Sequence, residues 1–361
     1  MYREYDWVQD KIIRPLIASG PVTVESFFAA TFGESDVSED HGPLASITFS
    51  QEPKRPALAE RPYSEYLQLT LGVRCDVGWD FASELELAIP SVAGLAPEQM
   101  VAQIDLIAGG LRLDRLEPEQ QRVANWLAGR AVRVIEEDGG DVVMVPVSTM
   151  LSMVPRGLLE HHETRVCVTL HPAAAHLAER IRLVGRRFTV RDKSRLGELR
   201  RPVEFLGVQH QYRGECAVTP EGVIDSPGNF SHPVFLMYLC GLDESRLRGV
   251  RFEVAPHKLE SKGGYNNAEF VEVGAWSAAE LAEHRRAIGF DVPDTIVVPL
   301  GAGFARGGAA VFGNESLNMS GVEHARLVVD SDERGAEARV YAVHYMPFLI
   351  MDGMLGMRFS G

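Results

Sequence analysis

The sequence predicts an all-β protein of antiparallel sheets, carried by about two domains. Four observations support this. From Leu317 the odd positions are mostly apolar (Leu317, Met319, Ala325, Leu327, Val329), while Asn318, Ser320, His324 and Arg326 take the other face. Such period-two alternation marks a half-buried strand. Arg339 to Met351 is apolar at nearly every position, as expected of a strand covered on both faces. The polar cluster Asp330 to Gly335 between them supplies turn chemistry, so the pair reads as a hairpin followed by a short Gly/Met-rich tail. Finally, 361 residues exceed one ordinary core, and at ~150 residues per domain they suggest about two.

Taken in order, residues 1–20 mix Tyr2, Tyr5, Trp7, Ile12, Ile13, Leu16 and Ile17 with charges and read as an arm or a first helix. Strand signals begin at Val22 to Val24 and continue through Phe27 to Phe32 and Leu44 to Phe49. The Pro-containing stretch Gln51 to Pro62 cannot be a central strand. Tyr66 to Val73 and Phe81 to Ile89 alternate, and Ile104 to Leu113 reads as two short strands around Gly109-Gly110. A helix follows over Pro118 to Gly129, with Pro118 near its start, Trp126 and Leu127 inward and Gly129 as its stop.

Arg130 to Val147 predicts a hairpin turned at Glu137 to Gly140, and Thr164 to Leu170 a further strand. Ala173 to Val184 reads as helical, Arg186 to Arg201 as a basic, polar run, and Val203 to Tyr212 as the last strand of the first domain. Gly274 to Ile288 has helical spacing, with Ser277 and Glu280 placed for a capping box. Ile296 to Leu300 is a buried type of strand, and the Gly-rich loop Gly301 to Gly313 leads into the C-terminal stretch.

That stretch carries a resemblance. Leu317-Asn318-Met319-Ser320, then His324-Ala325-Arg326-Leu327, then Val340 to Tyr345, and finally Ile350-Met351-Asp352-Gly353-Met354-Leu355-Gly356-Met357-Arg358-Phe359-Ser360 follow one another at set spacings. This succession resembles the C-terminal signature of the double jelly-roll major capsid proteins of nucleocytoplasmic large DNA viruses. Met319 stands where those proteins usually have Phe, and Asp352 where they have Ser, which marks a divergent member. His232-Pro233-Val234 is similar to the opening of that family's second jelly roll, and residues 104–127 to its Gly-Gly turn and Trp-bearing helix. The positions that carry the match structurally are His232, Pro233, Leu317, Asn318, Ser320, Ala325, Arg326, Leu327, Gly353, Met354, Gly356, Phe359 and Ser360.

The resemblance implies two consecutive eight-stranded antiparallel jelly rolls with a few short helices on connections. It divides the chain into an N-terminal arm (1–20), a first roll (21–213) and a second (214–361). It also implies a structural protein that forms pseudo-hexagonal homotrimers tiling an icosahedral shell, located in the virion and assembled in host cytoplasm. The partners implied are further copies of the chain, minor capsid proteins and, through the N-terminal arm, an internal virion membrane. Catalysis and cofactors are not expected. A minor capsid or scaffold protein of the same fold is the alternative within the family. From other classes the alternatives are a cupin-type metal enzyme and a carbohydrate-binding jelly roll.

Composition bounds these readings. Hydrophobic content of 45% and charged content of 24% are those of a soluble globular chain. A net charge of −14 argues against direct nucleic-acid binding, which needs a Lys/Arg excess. It also opposes close self-association at low salt. Cys75, Cys167, Cys216 and Cys240 lack CxxC spacing and read as buried free thiols, so reducing conditions are expected. The charged N-terminus has no signal-peptide h-region, and no apolar run reaches the ~20 residues of a membrane span.

The remaining motifs have ordinary explanations. Gly301 to Gly308 lacks the Gly-Lys-Ser/Thr ending of a phosphate loop and reads as an interstrand loop. His161, His162, Glu163 and His171 suggest a cupin-like metal site, but neighbours on a strand point to opposite faces, so a structural role is expected. The acidic runs Glu136 to Asp141 and Asp330 to Glu333 read as solvated turns. The sequons at Asn229, Asn314 and Asn318 are expected to be unmodified in a cytosolic protein.

Overall fold

Strands dominate the computed structural model, which describes residues 13–15, 37–43, 45–48, 67–73, 80–108, 111–149, 164–194, 203–217, 222–227, 234–256, 270–300, 315–317, 322–332, 337–351 and 354–357. The chain divides into two compact units. One comprises residues 21–208 with 347–358, the other residues 209–346 with 1–20 and 359–361.

After β1 (Ile13–Pro15), which belongs to the second unit, come ten strands of the first among the described residues. These are β2 (Val37–Pro43), β3 (Ala45–Thr48), β4 (Leu67–Val73), β5 (Phe81–Pro90), β6 (Val101–Ala108), β7 (Leu111–Leu116), β8 (Arg133–Glu137), β9 (Gly140–Pro146), β10 (Thr164–Leu170) and β11 (Arg182–Val190). They form two antiparallel sheets, ordered β2-β11-β5-β9-β8 and β3-β4-β10-β6-β7. With the edge additions β3 and β8 set aside, eight strands remain. Counted along the chain, they run first-eighth-third-sixth in one sheet and second-seventh-fourth-fifth in the other. That order is a jelly roll. Its core is filled by side chains such as Leu71, Phe81, Ile104, Leu106, Val166 and Val168.

The second unit contains β13 (Gly222–Pro227), β14 (Val234–Cys240), β15 (Leu247–Pro256), β16 (Val271–Ser277), β17 (Thr295–Pro299), β18 (Glu315–Leu317) and β19 (Val322–Ser331). The longer strands β12 (Val203–Ala217) and β20 (Glu337–Met351) complete its sheets. One sheet runs β12-β20-β14-β17, with β18 and β1 added beside β14, and the other β13-β19-β15-β16. Counted in the same way, the order is again first-eighth-third-sixth and second-seventh-fourth-fifth. One chain therefore holds two jelly rolls. The second core is a continuous apolar cluster that includes Met237, Leu239, Phe252, Val254, Leu327 and Val340.

The repetition extends to the connections. Helix α1 (Pro118–Leu127) lies between the fifth and sixth strands of the first roll, and α2 (Ala278–Ala287) between the fifth and sixth of the second. Each begins with a capping box and ends with a left-handed glycine, Gly129 at φ 67° and Gly289 at φ 65°. Beyond each glycine the chain closes a Schellman motif: Arg130 N donates to Asn125 O at 2.8 Å, and Phe290 N to Arg285 O at 2.9 Å. A short 3-10 turn, Pro97–Gln99 or Glu244–Arg246, joins the third strand to the fourth in each roll.

Several expectations need correction. Residues 173–184 are not one helix: a 3-10 run covers Pro172–Arg180, and strand β11 starts at Arg182. The basic residues of β11 meet carboxylates on other strands of the same sheet, which lets a charged run sit in a sheet. Consequently β11, and not Val203 to Tyr212, is the eighth strand of the first roll, while β12 is the first strand of the second. The alternating stretch from Leu317 is divided between β18 and β19, which belong to different sheets. Strands β19 and β20 do not pair as a hairpin either, because both edges of β19 are already taken by β13 and β15. Gly274 to Ser277 belongs to β16, leaving Ser277 as the N-cap of α2. Ile13 to Pro15 is extended and pairs with β18, so the first-helix reading fails there. The Gly/Met-rich tail forms β21 (Met354–Met357), paired antiparallel with Phe348–Met351. The strand expectations at Val22 to Val24 and Phe27 to Phe32, and the loop at Gly301 to Gly313, lie outside the described residues.

Candidate functional site

Strand β19 shows what alternation does with the C-terminal signature. Ala325 and Leu327 point into the second core and are almost fully buried. Arg326 between them emerges on the opposite face, directly across from Glu253 on β15. Its Nε donates to Glu253 Oε2 at 2.6 Å, and its guanidinium carbon lies 3.8 Å from the Phe270 ring centroid. Stacking and ion pairing together fix this side chain. Leu317 lies on β18, and Met354 and Gly356 on β21. His232, Pro233, Asn318, Ser320, Gly353, Phe359 and Ser360 lie outside the described residues, as do the asparagines of the three sequons and His161 to Glu163. His171 caps the 3-10 run: its Nδ1 accepts from Ala173 N at 3.2 Å. Cys167 and Cys240 are buried free thiols.

The densest electrostatic arrangement is on the β2-β11-β5-β9-β8 sheet, where the sequence suggested only a basic run. At its centre Glu86 on β5 is 4% exposed at its side chain. Arg133 on β8 donates to it through Nη1–Oε1 at 2.5 Å and Nη2–Oε2 at 2.8 Å. Arg130 Nη2 lies 3.1 Å from Oε1 and also donates to Glu84 O at 2.9 Å. Burial alone would raise the Glu86 carboxyl, but hydrogen bonds and charge from Arg133 and Arg130 hold it below the usual carboxylate range. His41 Nε2 approaches to 3.7 Å.

A bulge sets up the next pair. Two residues of β5, Glu84 and Leu85, lie opposite the single Gly185 of β11, and Glu84 adopts φ 50°. Arg186 on β11 reaches both Glu84 and Glu39 of β2, pairing bidentately with Glu39 at 2.7 and 2.9 Å. Its neighbour Arg187 pairs with Asp40 of β2 through both oxygens. Arg182 donates twice to Glu137 on β8, at 2.6 and 2.8 Å. The carboxylates lie far from these arginines in sequence, so composition alone could not reveal the pairing. Among the described residues, no group of three or more His, Cys, Asp or Glu converges as a metal site.

The comparisons with known proteins bear on the backbone. No protein-family model matches the sequence, and no curated protein matches it. Solved structures do. The PBCV-1 virus capsid, known as a quasi-atomic model, is similar with a TM-score of 0.60 at 12% identity, over 90% of this chain and 97% of that one. The Faustovirus major capsid protein gives 0.54 at 7% identity, over 87% and 90%. The STIV MCP gives 0.50 at 8% identity, over 86% and 96%. The chain has the fold of these capsid proteins. At such identities the likeness lies in the path of the backbone, the twice-repeated jelly-roll order, and extends over most of each chain.

Proposed function

We propose that this protein is a major capsid protein: three copies form a pseudo-hexagonal trimer, and trimers tile an icosahedral viral shell. The observation that supports this best is the doubled jelly roll, shared over 90% of the chain with the PBCV-1 virus capsid. Two equivalent lobes per chain give a three-fold assembly six similar lobes, the outline that packs hexagonally. Jelly rolls suit shells because subunit contacts can cover their sheet edges. The role is structural and needs no cofactor. Minor capsid proteins and an internal membrane met by residues 1–20 are the further partners this reading expects, with assembly in host cytoplasm.

Surface chemistry supplies a condition. Among the described residues the one exposed large hydrophobic is Val134, and the chain carries a net charge of −14. Subunits of this kind repel at low salt and associate as screening grows. Light scattering on size-separated protein checks the reading: a mass three times 39.8 kDa is expected at physiological or higher salt. A monomer at every salt concentration would overturn it.

A further inference from the structure

Strand β2 is attached to its sheet in an unusual way. Its residues Val37 to Pro43 are Val-Ser-Glu-Asp-His-Gly-Pro, and the side chains from Ser38 to His41 are all exposed. No large apolar side chain anchors it to the core. Besides backbone pairing with β11, its attachment is electrostatic. Glu39 is held by Arg186, Asp40 by Arg187, and His41 lies beside Glu86. Ser38 adds one bond to Thr189 O at 3.3 Å. The close fit extends to Gly42, where a Cβ would lie 2.6 Å from the Arg187 guanidinium carbon. Any side chain there would push Arg187 off its line to Asp40.

We infer that β2 is an acid-releasable strand, latched to β11 by carboxylate–arginine pairs and freed as a unit when those carboxylates are protonated. The inference does not depend on the capsid reading. The charges facing the latch from each packed element are Arg182, Arg186 and Arg187 on β11, Glu84 and Glu86 on β5, Arg133 and Glu137 on β8, and Arg130 after α1. At neutral pH each arginine has a carboxylate partner. Once the carboxylates are neutral, the five arginines are left without partners of opposite charge, and attraction becomes repulsion.

The sign of the titration agrees. The hydrogen bond from Arg187 holds Asp40 below its ordinary range. Such a group stabilises the paired state above its unfolded-state pKa and loses that contribution as pH falls through the folded one. Glu86, held low by Arg133 and Arg130 against the effect of burial, acts in the same direction. By contrast, β5 and β9 carry buried apolar side chains such as Leu87, Ile89, Val143 and Val145, which protonation leaves in place. An element with few apolar contacts and an exposed ladder opens before the global transition.

Hydrogen exchange on the intact chain tests this, with rates converted to protection factors so that the intrinsic effect of pH is removed. Between pH 7 and about pH 2.5, well below the ordinary Asp value of 3.8 from which Asp40 is held down, protection over 37–43 is expected to fall several-fold while that of the β5–β9 and β6–β10 pairs is kept. The double variant Glu39→Gln/Asp40→Asn should show the lowered β2 protection already at pH 7, and the single variant Asp40→Asn a smaller loss in the same place. The inference fails if β2 keeps its protection at acid pH, or loses it only together with β5 and β9. It also fails if the folded variants exchange like wild type at pH 7.

Discussion

In the first roll α1 turns seven of its ten residues inward, whereas α2, at the same station of the second roll, buries only Leu281. Their ends are alike: a capping box, a left-handed glycine and a Schellman closure. Their middles are not. Trp126, Leu127, Val123 and Ala124 anchor α1, and its buried Gln121 is satisfied by Leu116 O at 3.0 Å. Helix α2 instead relies on its ends, with Ser277 and Glu280 at the positive pole of the dipole and His284, Arg285 and Arg286 at the negative one. The lesson is that the station of each helix is preserved by local backbone geometry, while its energetic weight depends on what covers it.

The rolls also differ in how they finish. The eighth strand of the first, β11, ends after nine residues, whereas β20 runs for fifteen and its end pairs back with β21 from Phe348↔Met357 to Met351↔Met354. Deleting Met354 to Gly361 strips β21 from the Phe348–Met351 end of β20 and exposes that edge, a template for aggregation. Insoluble or trimer-incompetent protein is expected, while removal of Met1 to Tyr5 leaves the oligomer unchanged. A soluble, trimeric deletion with an unaltered melting temperature would show that β20 does not need its partner.

Core substitutions come next in size. Replacing Trp126 with Ala removes a nearly fully buried indole and should cost about 3–5 kcal/mol in equilibrium denaturation. At the exposed Glu283 of α2, Glu283→Ala should stay within ~0.5 kcal/mol. Equal effects would mean that the two helices carry equal weight, contrary to their burial.

Buried charge gives a smaller and pH-dependent contrast. Glu86→Gln should cost about 1.5–3 kcal/mol near neutral pH, the range for hydrogen bonds to charged groups. Glu253→Gln in the second roll should cost about 1 kcal/mol or less, because Glu253 is itself more exposed than Glu86, 11% against 4% at the side chain. Glu86 is held below its ordinary value of 4.5, so its contribution is complete above that value and disappears as pH falls through the lower folded one. Denaturant midpoints of wild type and Glu86→Gln measured from pH 7 down to about pH 3 should therefore converge. A gap that stays constant with pH would assign the loss to packing and not to charge.

These contrasts also mark what could be read from the residues alone. Hairpins closed by glycine, such as β6–β7 and β8–β9, were legible because turn and strands are contiguous. So was the capping box at Ser277, whose two partners sit three residues apart. Alternation identified β19 as a strand and placed Ala325 and Leu327 inward, but it cannot say which sheet a strand joins. In a jelly roll successive strands cross between sheets, so the adjacent β19 and β20 were wrongly paired. Strand β11 was missed for a related reason. Arg186 and Arg187 read as part of a basic, polar run and Arg182 as part of a helix until Glu39, Asp40, Glu84 and Glu137 arrive from distant parts of the chain. Arg326 shares this history: its face followed from period two, but Glu253 and Phe270 did not.

The smallest expected effect is the most local. Ser277 Oγ lies 2.7 Å from Glu280 Oε2 and accepts from Glu280 N at 3.3 Å, while Ser277 N donates to Glu280 Oε2 at 2.7 Å. Ser277→Ala removes the hydroxyl half of this box and leaves the backbone half, so the loss should be about 0.5–1 kcal/mol, the low end for a helix cap. The backbone N–H of Ser277, and then its hydroxyl, hold the Glu280 carboxyl below its usual range. What the surviving bond contributes is therefore present at neutral pH and fades as Glu280 is protonated. Exchange of the first α2 amides should quicken in the variant at pH 7 and quicken further in acid, once intrinsic rates are removed, because only wild type keeps the bond from Glu280 N to the hydroxyl there. The cores and α1 should be unaffected. If α1 amides quicken as well, the ends of the two helices are not independent local devices, and the separation drawn between ends and middles fails.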